Sequence, residues 1–287
     1  MAVTNFVPDL WSAKLLVALR KAAVAGGLVN RDYEGEIRRE GDSVKITSIN
    51  DVTIGTYTAH TDITVEDIDD ATRSLVIDQA KYFAVELDDI EKAQYKKGGK
   101  SPLEQAVDNA AYQLRDVSDA FLLAAMNTAV QGTANDLGTV AIHTTARNLY
   151  DSFVDLSVVL DEDNVPTESR FAVVSPAVHG RLQKLDEFIA AGDQKGAETR
   201  GNGFIGSVAG LDLYKSNNLP AVTDAAATGG LVIAGSRIAT TFAEQINSVE
   251  AARMEKRFAD MVKGLHLYGA KVVRPTALAV VEFDATA

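Results

Sequence analysis

Cysteine is absent from this chain of 287 residues, which excludes disulfides, thiolate zinc sites and cysteine nucleophiles together. Histidine is scarce: His60, His143, His179 and His266 are the whole supply, and no two are three or four residues apart. No helical metal pair can be built from them, so they read as ordinary surface or core imidazoles. No apolar run approaches the ~18 residues needed to cross a bilayer. The stretch 15–25, closed by Ala23-Val24-Ala25, has the outline of a signal peptide, but Arg20 and Lys21 interrupt it and no basic region precedes it. The expectation is a protein that folds in a cytoplasm and does not enter a membrane. Cations are in deficit, 28 Lys and Arg against 40 Asp and Glu, for a net charge of −12. That sign argues against a protein whose main task is gripping phosphate backbone, which takes clustered cations.

What is present is enough apolar material to fold. At 46% hydrophobic residues the chain is too apolar for disorder, and its length suits one large domain or two small ones. Asp9 can cap a helix with Trp11, Leu15, Ala18, Leu19 and Ala22 on one face, stopped by Gly26-Gly27. From Ser43 the period becomes two, with Val44, Ile46 and Ser48 alternating with Lys45, Thr47 and Ile49. A second strand-like run covers 75–87. Between the two lies a polar, threonine-rich, acidic stretch, 50–72, so the pair predicts a long β-hairpin. Such a hairpin holds no core of its own and needs a surface to lie on, for which a neighbouring chain is a candidate.

Ser101-Pro102-Leu103-Glu104 is a capping box with proline at the first helical position. Leu103, Val107, Ala110, Ala111, Leu114, Val117, Phe121 and Ala125 recur at helical spacing, which predicts about 30 residues of helix up to Val130, roughly 45 Å. A β/α alternation follows: a helix through Leu149, Tyr150, Phe153 and Leu156, a buried strand at 171–174, and a helix from Ser175-Pro176 through Val178, Leu182 and Leu185. A polar loop covers 191–202, with strands at 211–214, 231–234, 264–273 and 277–283.

The candidates for chemistry fail on inspection. Asp161, Glu162 and Asp163 resemble the start of a calcium loop, but Val165 and Pro166 stand where a ligand and a glycine turn belong. Asp69-Asp70 and Asp88-Asp89 are adjacent pairs, which on a strand point to opposite faces. Residues 201–206 spell G-x-G-x-x-G, with Asp224 at a ribose-binding distance. Yet a polar loop precedes them and Gly210 interrupts the helix that should follow, so no aligned dipole awaits a pyrophosphate. No nucleophile elbow, phosphate-binding Walker loop or H-E-x-x-H motif occurs.

Three phrases, in order, resemble the major capsid proteins of tailed bacteriophages. They are Gly206-Ser207-Val208-Ala209-Gly210-Leu211-Asp212-Leu213-Tyr214-Lys215-Ser216-Asn217-Asn218-Leu219-Pro220, then Gly264-Leu265-His266-Leu267-Tyr268-Gly269-Ala270-Lys271-Val272-Val273-Arg274-Pro275, and the opening from Val7-Pro8-Asp9-Leu10-Trp11 through Gly41-Asp42-Ser43-Val44. The resemblance spans nearly the whole chain. It implies an α+β Hong Kong 97-type capsid fold. In it, residues 1–42 form an N-terminal arm and 43–88 an extended loop with flanking strands. Residues 89–145 form a peripheral domain with a long spine helix, 146–260 an axial domain, and 261–287 the C-terminal strands of the peripheral domain.

The implied function is a virion shell subunit, not an enzyme, with no cofactor and no metal site. It would assemble with itself as pentamers and hexamers into an icosahedral capsid around double-stranded DNA, which it encloses without reading its sequence. The implied partners are a separate scaffolding protein, since structured sequence begins near Asp9, a portal protein and a decoration protein. Residues 50–72 contain no lysine, so covalent cross-linking from that loop is not expected. The expected interface residues are Trp11, as an apolar anchor of the arm, and Tyr57, Thr58 and His60 at the hairpin tip. The alternative for Trp11 is packing within its own subunit. Two other readings stay open: an encapsulin-type compartment shell, and more remotely a soluble nucleotide-binding α/β enzyme using residues 201–206.

Overall fold

The computed structural model describes residues 24–32, 43–49, 54, 56, 62, 70–89, 102–141, 149–182, 204–222, 229–255 and 257–284. Its longest helix, α2 (Pro102–Val130, 29 residues), starts at the proline of the capping box. Along its first half, Leu103, Val107, Ala111 and Leu114 recur on one face. They pack against Leu87, Val249, Val262, Phe83, Val85 and Ala251. These belong to a three-stranded antiparallel sheet of β3 (Gln79–Asp88), β10 (Ala259–Val272) and β9 (Thr240–Arg253), with β10 in the middle. Along its second half, Leu122, Leu123, Met126 and Val130 enter the main core. One helix thus ties two sheets together, each buried leucine adding roughly 1.5–3 kcal/mol.

The second sheet has six strands in the order β4 (Asp136–Ala141), β11 (Leu278–Asp284), β8 (Gly230–Ser236), β5 (Arg170–Val174), β7 (Leu211–Lys215), β6 (Phe204–Val208). β4 runs parallel to β11 and β5 parallel to β7; the other neighbours are antiparallel. All five residues of β5 are buried, as are Leu231–Ser236 and Leu278–Phe283. These strands are covered on both faces, which is why they read as unbroken apolar runs. Helix α3 (Leu149–Glu162) adds Leu149, Phe153, Leu156 and Leu160 to this core, and α4 (Pro176–Leu182) adds Val178 and Leu182. Leu185 and the loop 191–202 lie outside the described residues.

The predicted hairpin is present at its root. β1 (Ser43–Ile49) pairs antiparallel with β2 (Asp70–Val76), in register from Ser43↔Val76 to Ile49↔Asp70. The apolar run expected over 75–87 is divided at Ile77-Asp78 into the end of β2 and β3. Ile46, Leu75 and Ile77 form a separate small core with Ala243 and Leu267. Leu267 alternates with His266 and Tyr268 along β10. Tyr268 meets Phe121 of α2 edge-on, ring centroids 5.4 Å apart. The hairpin root and the long helix therefore sit on opposite faces of β10. Gly269 makes the close fit possible, because a Cβ there would lie 2.3 Å from the Val76 carbonyl oxygen.

Residues 240–253, within the stretch 146–260, pair with β10, while 278–284, at the end of 261–287, lie between β4 and β8. The G-x-G-x-x-G stretch is followed by no helix. Phe204–Val208 is a strand, turned onto β7 through Ala209 (φ 49°) and Gly210 (φ 79°), a left-handed pair suited to a two-residue hairpin. The helix expected from Asp9 is described only as α1 (Val24–Gly27), which ends at the glycine pair.

Candidate subunit interfaces and the polar joints behind them

Trp11, Tyr57, Thr58 and His60 all lie outside the described residues. Of the polar stretch 50–72, Ile54 is 95% exposed, and Thr56 and Asp62 are exposed too. Two aromatic side chains that sequence reading missed are similarly bare: Tyr82 at 79% and Phe258 at 80%. On β3, Phe83, Val85 and Leu87 face the helix, so Tyr82, Ala84 and Glu86 face away from it. The signal was there in the period of two, but both faces of this strand carry apolar residues, and sequence alone does not say which one a helix covers. The far face is laced at its edges by Lys263–Glu250 (2.8 Å) and Arg257–Glu86 (3.0 Å).

Two buried polar joints hold the parts of the body in place. At the first, the chain leaving α1 is added to β9 as a short parallel bridge. The Asn30 amide donates to the Thr240 carbonyl and the Phe242 amide to the Asn30 carbonyl, each at 2.9 Å. Arg31 then pairs with Glu244 and lies 5.5 Å from the centre of the Phe242 ring. His266, wholly buried, stands 3.4 Å from the other oxygen of Glu244, and neither ring nitrogen makes a hydrogen bond. Burial pushes the Glu244 carboxyl up, but His266 and Arg31 outweigh it and hold the group below the usual carboxylate range. A depressed carboxylate stabilises the fold above its unfolded value, and that stabilisation is lost as pH falls through the folded value. Glu244→Gln should therefore be less stable than the parent near pH 7, and the gap should narrow as pH falls below the usual carboxylate range. Denaturant midpoints of both proteins across that range check it; a constant gap would mean the carboxylate charge is not what holds the joint.

The second joint holds the phrase Ser216-Asn217-Asn218 to the long helix. Asp119, 3% exposed, accepts from the Ala25 amide (2.8 Å), the Ser216 hydroxyl (3.4 Å) and the Asn218 amide nitrogen (3.2 Å). Asn218 also donates to Asp116 at 2.7 Å. Burial raises the Asp119 carboxyl against these donors, with nearby Asp116 adding to it, so its pH response opposes that of Glu244. One carboxylate thus joins α1, α2 and the turn after β7. The sequence phrase has a structural task here: short side-chain donors on a turn that faces a buried acid.

The acids of the calcium-like stretch are engaged elsewhere. Asp161 pairs with the buried Arg170 at 2.7 Å, and Asp163 accepts from Asn135 at 2.7 Å. Asp89, at the end of β3, pairs with Arg253 at 2.5 Å. Among the described residues no group of three or more His, Asp or Glu is placed to hold a metal ion, and no helix is long and apolar enough to cross a membrane.

The sequence profile described as phage capsid protein matches residues 70–281. The solved structure titled Mycobacterium phage Che8 is 29% identical, with a TM-score of 0.69 over 98% of each chain. The capsid structure of cyanophage P-SCSP1u is 16% identical, TM-score 0.67, over 89% of this chain and 85% of that one. The capsid of a native GTA particle is 12% identical, TM-score 0.64, over 92% and 90%. The last two show likeness of fold alone. No curated protein matches the chain.

Proposed function

This chain belongs to the phage capsid protein family and is a major capsid shell subunit, and from that premise we propose how it builds its shell. Its subunits assemble as pentamers and hexamers into a closed icosahedral shell that encloses double-stranded DNA in the virion. Assembly takes place in the host cytoplasm with a separate scaffolding protein, a portal protein and an outer decoration protein. The chain acts as a wall and not as a catalyst. The acidic balance fits a wall that does not adhere to packed phosphate.

Within the subunit, the three-stranded sheet with the first half of α2 is the peripheral part. The six-stranded sheet with α3 and α4 is the axial part, and α2 is the spine between them. Residues 1–42 form an arm. The observation that carries the reading is the hairpin root: β1 and β2 leave the body from a small core shared with Ala243 and Leu267, and the chain beyond them is polar and acidic. A segment of that kind buries little against its own subunit, and interfaces of obligate assemblies run to several thousand Å². Tyr57, Thr58 and His60 at the hairpin tip and Trp11 on the arm are the contacts we assign to neighbours.

Electron microscopy of the purified protein, with and without scaffold candidates, tests the reading. Closed shells or rings of five and six support it, and a small dispersed oligomer under every condition overturns it. Deleting Thr56–His60 should leave a folded, soluble subunit, by circular dichroism and sedimentation, that forms no shells. Normal shells from the deletion would remove the tip from the interface.

A further inference from the structure

The carboxylate of Glu244 stands between two basic side chains that differ in their access to water. Arg31 pairs with one oxygen, and its side chain is 26% exposed. His266 stands 3.4 Å from the other oxygen and is wholly buried. Neither ring nitrogen has a hydrogen-bond partner, so the imidazole sits beside the acid with its polar atoms idle. It has no room to leave, because β10 is the middle strand, paired to β3 on one side and β9 on the other. Arg31 follows Asn30, whose two backbone bonds hold this short segment to β9. The neighbouring groups do not compete for the carboxylate. Tyr268, two residues along β10, has its ring 5.0 Å from His266, and α2 presents the uncharged Phe121 there. Lys81, opposite His266 on β3, and Asp78, which bears on the Tyr268 hydroxyl, are both exposed, and water screens them.

We propose that this site is a proton-operated latch, in which Glu244 changes partner from Arg31 to His266 and so frees residues 30–32 from β9. With a neutral imidazole, one cation and one carboxylate balance. A proton on His266 puts two cations on one carboxylate in a largely buried site, and an uncompensated buried charge is costly. Sending one cation into water relieves that cost, and of the two only Arg31 has the exposure and the slack to go. Glu244 then closes on the imidazolium beside it. Histidine is the side chain that gains its charge in mild acid. Glu244, held below the usual carboxylate range, keeps its own charge there. Release is confined to one end of the segment. The Ala25 amide stays on Asp119 at 2.8 Å, and although burial raises that carboxyl, its protonated form still accepts the bond. The segment therefore pivots at α1, and acidity loosens the link between α1 and β1 without detaching α1 from the body. The device lies within one subunit and stands whether or not the shell reading does.

Hydrogen–deuterium exchange on the full-length protein at about pH 7.5 and about pH 5, corrected for the intrinsic pH dependence of amide exchange, tests the latch. Sedimentation at both values checks that the assembly state is the same. In acid the amides of Asn30 and Phe242, which make the two bonds to β9, should exchange at least about tenfold faster. The amides of Ala25, on Asp119, and Val280, on the Asn135 carbonyl, should hold. His266→Gln, which takes no charge, should lack the acid step. Arg31→Met should show the fast exchange already at the higher pH, with no further rise in acid. Unchanged exchange at Asn30 and Phe242 in the acidified parent overturns the latch, and so does an acid step that persists in His266→Gln. Equal loss at Ala25 would place the response at Asp119 and overturn it too. If circular dichroism shows that His266→Gln does not fold, Arg31→Met decides alone, and an acid step equal to the parent's sinks the idea.

Discussion

Gly269→Val is expected to abolish shell formation while leaving the body of the subunit folded. A Cβ at this position would lie 2.3 Å from the Val76 carbonyl oxygen, 3.0 Å from the Ile77 Cα and 3.1 Å from the Val76 carbonyl carbon. All three are backbone atoms, so no rotamer change relieves the clash. Either β10 or the hairpin root must move. β10 is paired on both sides and buried against Phe121 and Phe242, so the root yields first. Overpacking of this kind costs about 1–3 kcal/mol. The small core of Ile46, Leu75, Ile77, Ala243 and Leu267 is opened by the shift. The signature is a near-parent melting temperature, faster proteolysis within 50–69, and no shells by microscopy. Normal shells from Gly269→Val would mean that this seat does not set the direction of the hairpin.

Phe153→Ala is expected to destabilise the whole body. The ring is fully buried in the main core, on the face of α3 that also carries Leu149, Leu156 and Leu160. Truncating a buried phenylalanine costs about 3–5 kcal/mol, because the transfer term and the cavity left behind add. Against a total stability of about 5–15 kcal/mol that is a large share, and a drop of about 10 °C in melting temperature follows. Val154→Ala, one residue on and 36% exposed, is the control and should fall within about 0.5 kcal/mol of the parent. Guanidinium denaturation of the three proteins side by side decides it. Equal losses at both positions would mean that Val154 is covered in the protein as it exists in solution.

Several elements could be read from residues alone because their physics is local. The capping box and the recurrence from Leu103 to Phe121 placed α2 within a residue at each end, since a helix satisfies its backbone within itself. β1 followed from its period of two, but its partner β2 did not: Asp70–Thr72 lay in the stretch read as the polar middle, and only Leu75 and Val76 fell in the run expected over 75–87. β5, β8 and β11 followed from apolar runs that only double coverage explains. β4, β6 and β9 were not legible. β9 carries Glu244, Gln245, Asn247, Ser248 and Glu250, and reads as a polar stretch. It is a strand because β10 supplies its hydrogen bonds, and because Glu244 finds Arg31 and His266, both distant in sequence. The first residues of β10 were missed for the same reason, with Asp260, Met261 and Lys263 turned towards solvent or partners.

The candidate site fared in a similar way. The phrase Ser216-Asn217-Asn218 carried a resemblance without a reason; its reason is Asp119, a buried acid on α2 that accepts from two residues of this phrase and from Ala25, far away in the chain. His266 read as an ordinary imidazole, and only the pairing of β9 with β10 brings it to Glu244.

By itself, the sequence determined the long helix, the first hairpin strand, the apolar strands and the absence of thiol chemistry, because periodicity, capping and composition act over a few residues. Only the tertiary structure decided that one helix serves two sheets, that the hairpin root lies on the face of β10 opposite that helix, and that His266 meets Glu244. Those facts depend on strand order and register, which are set by side chains meeting across many residues of intervening chain.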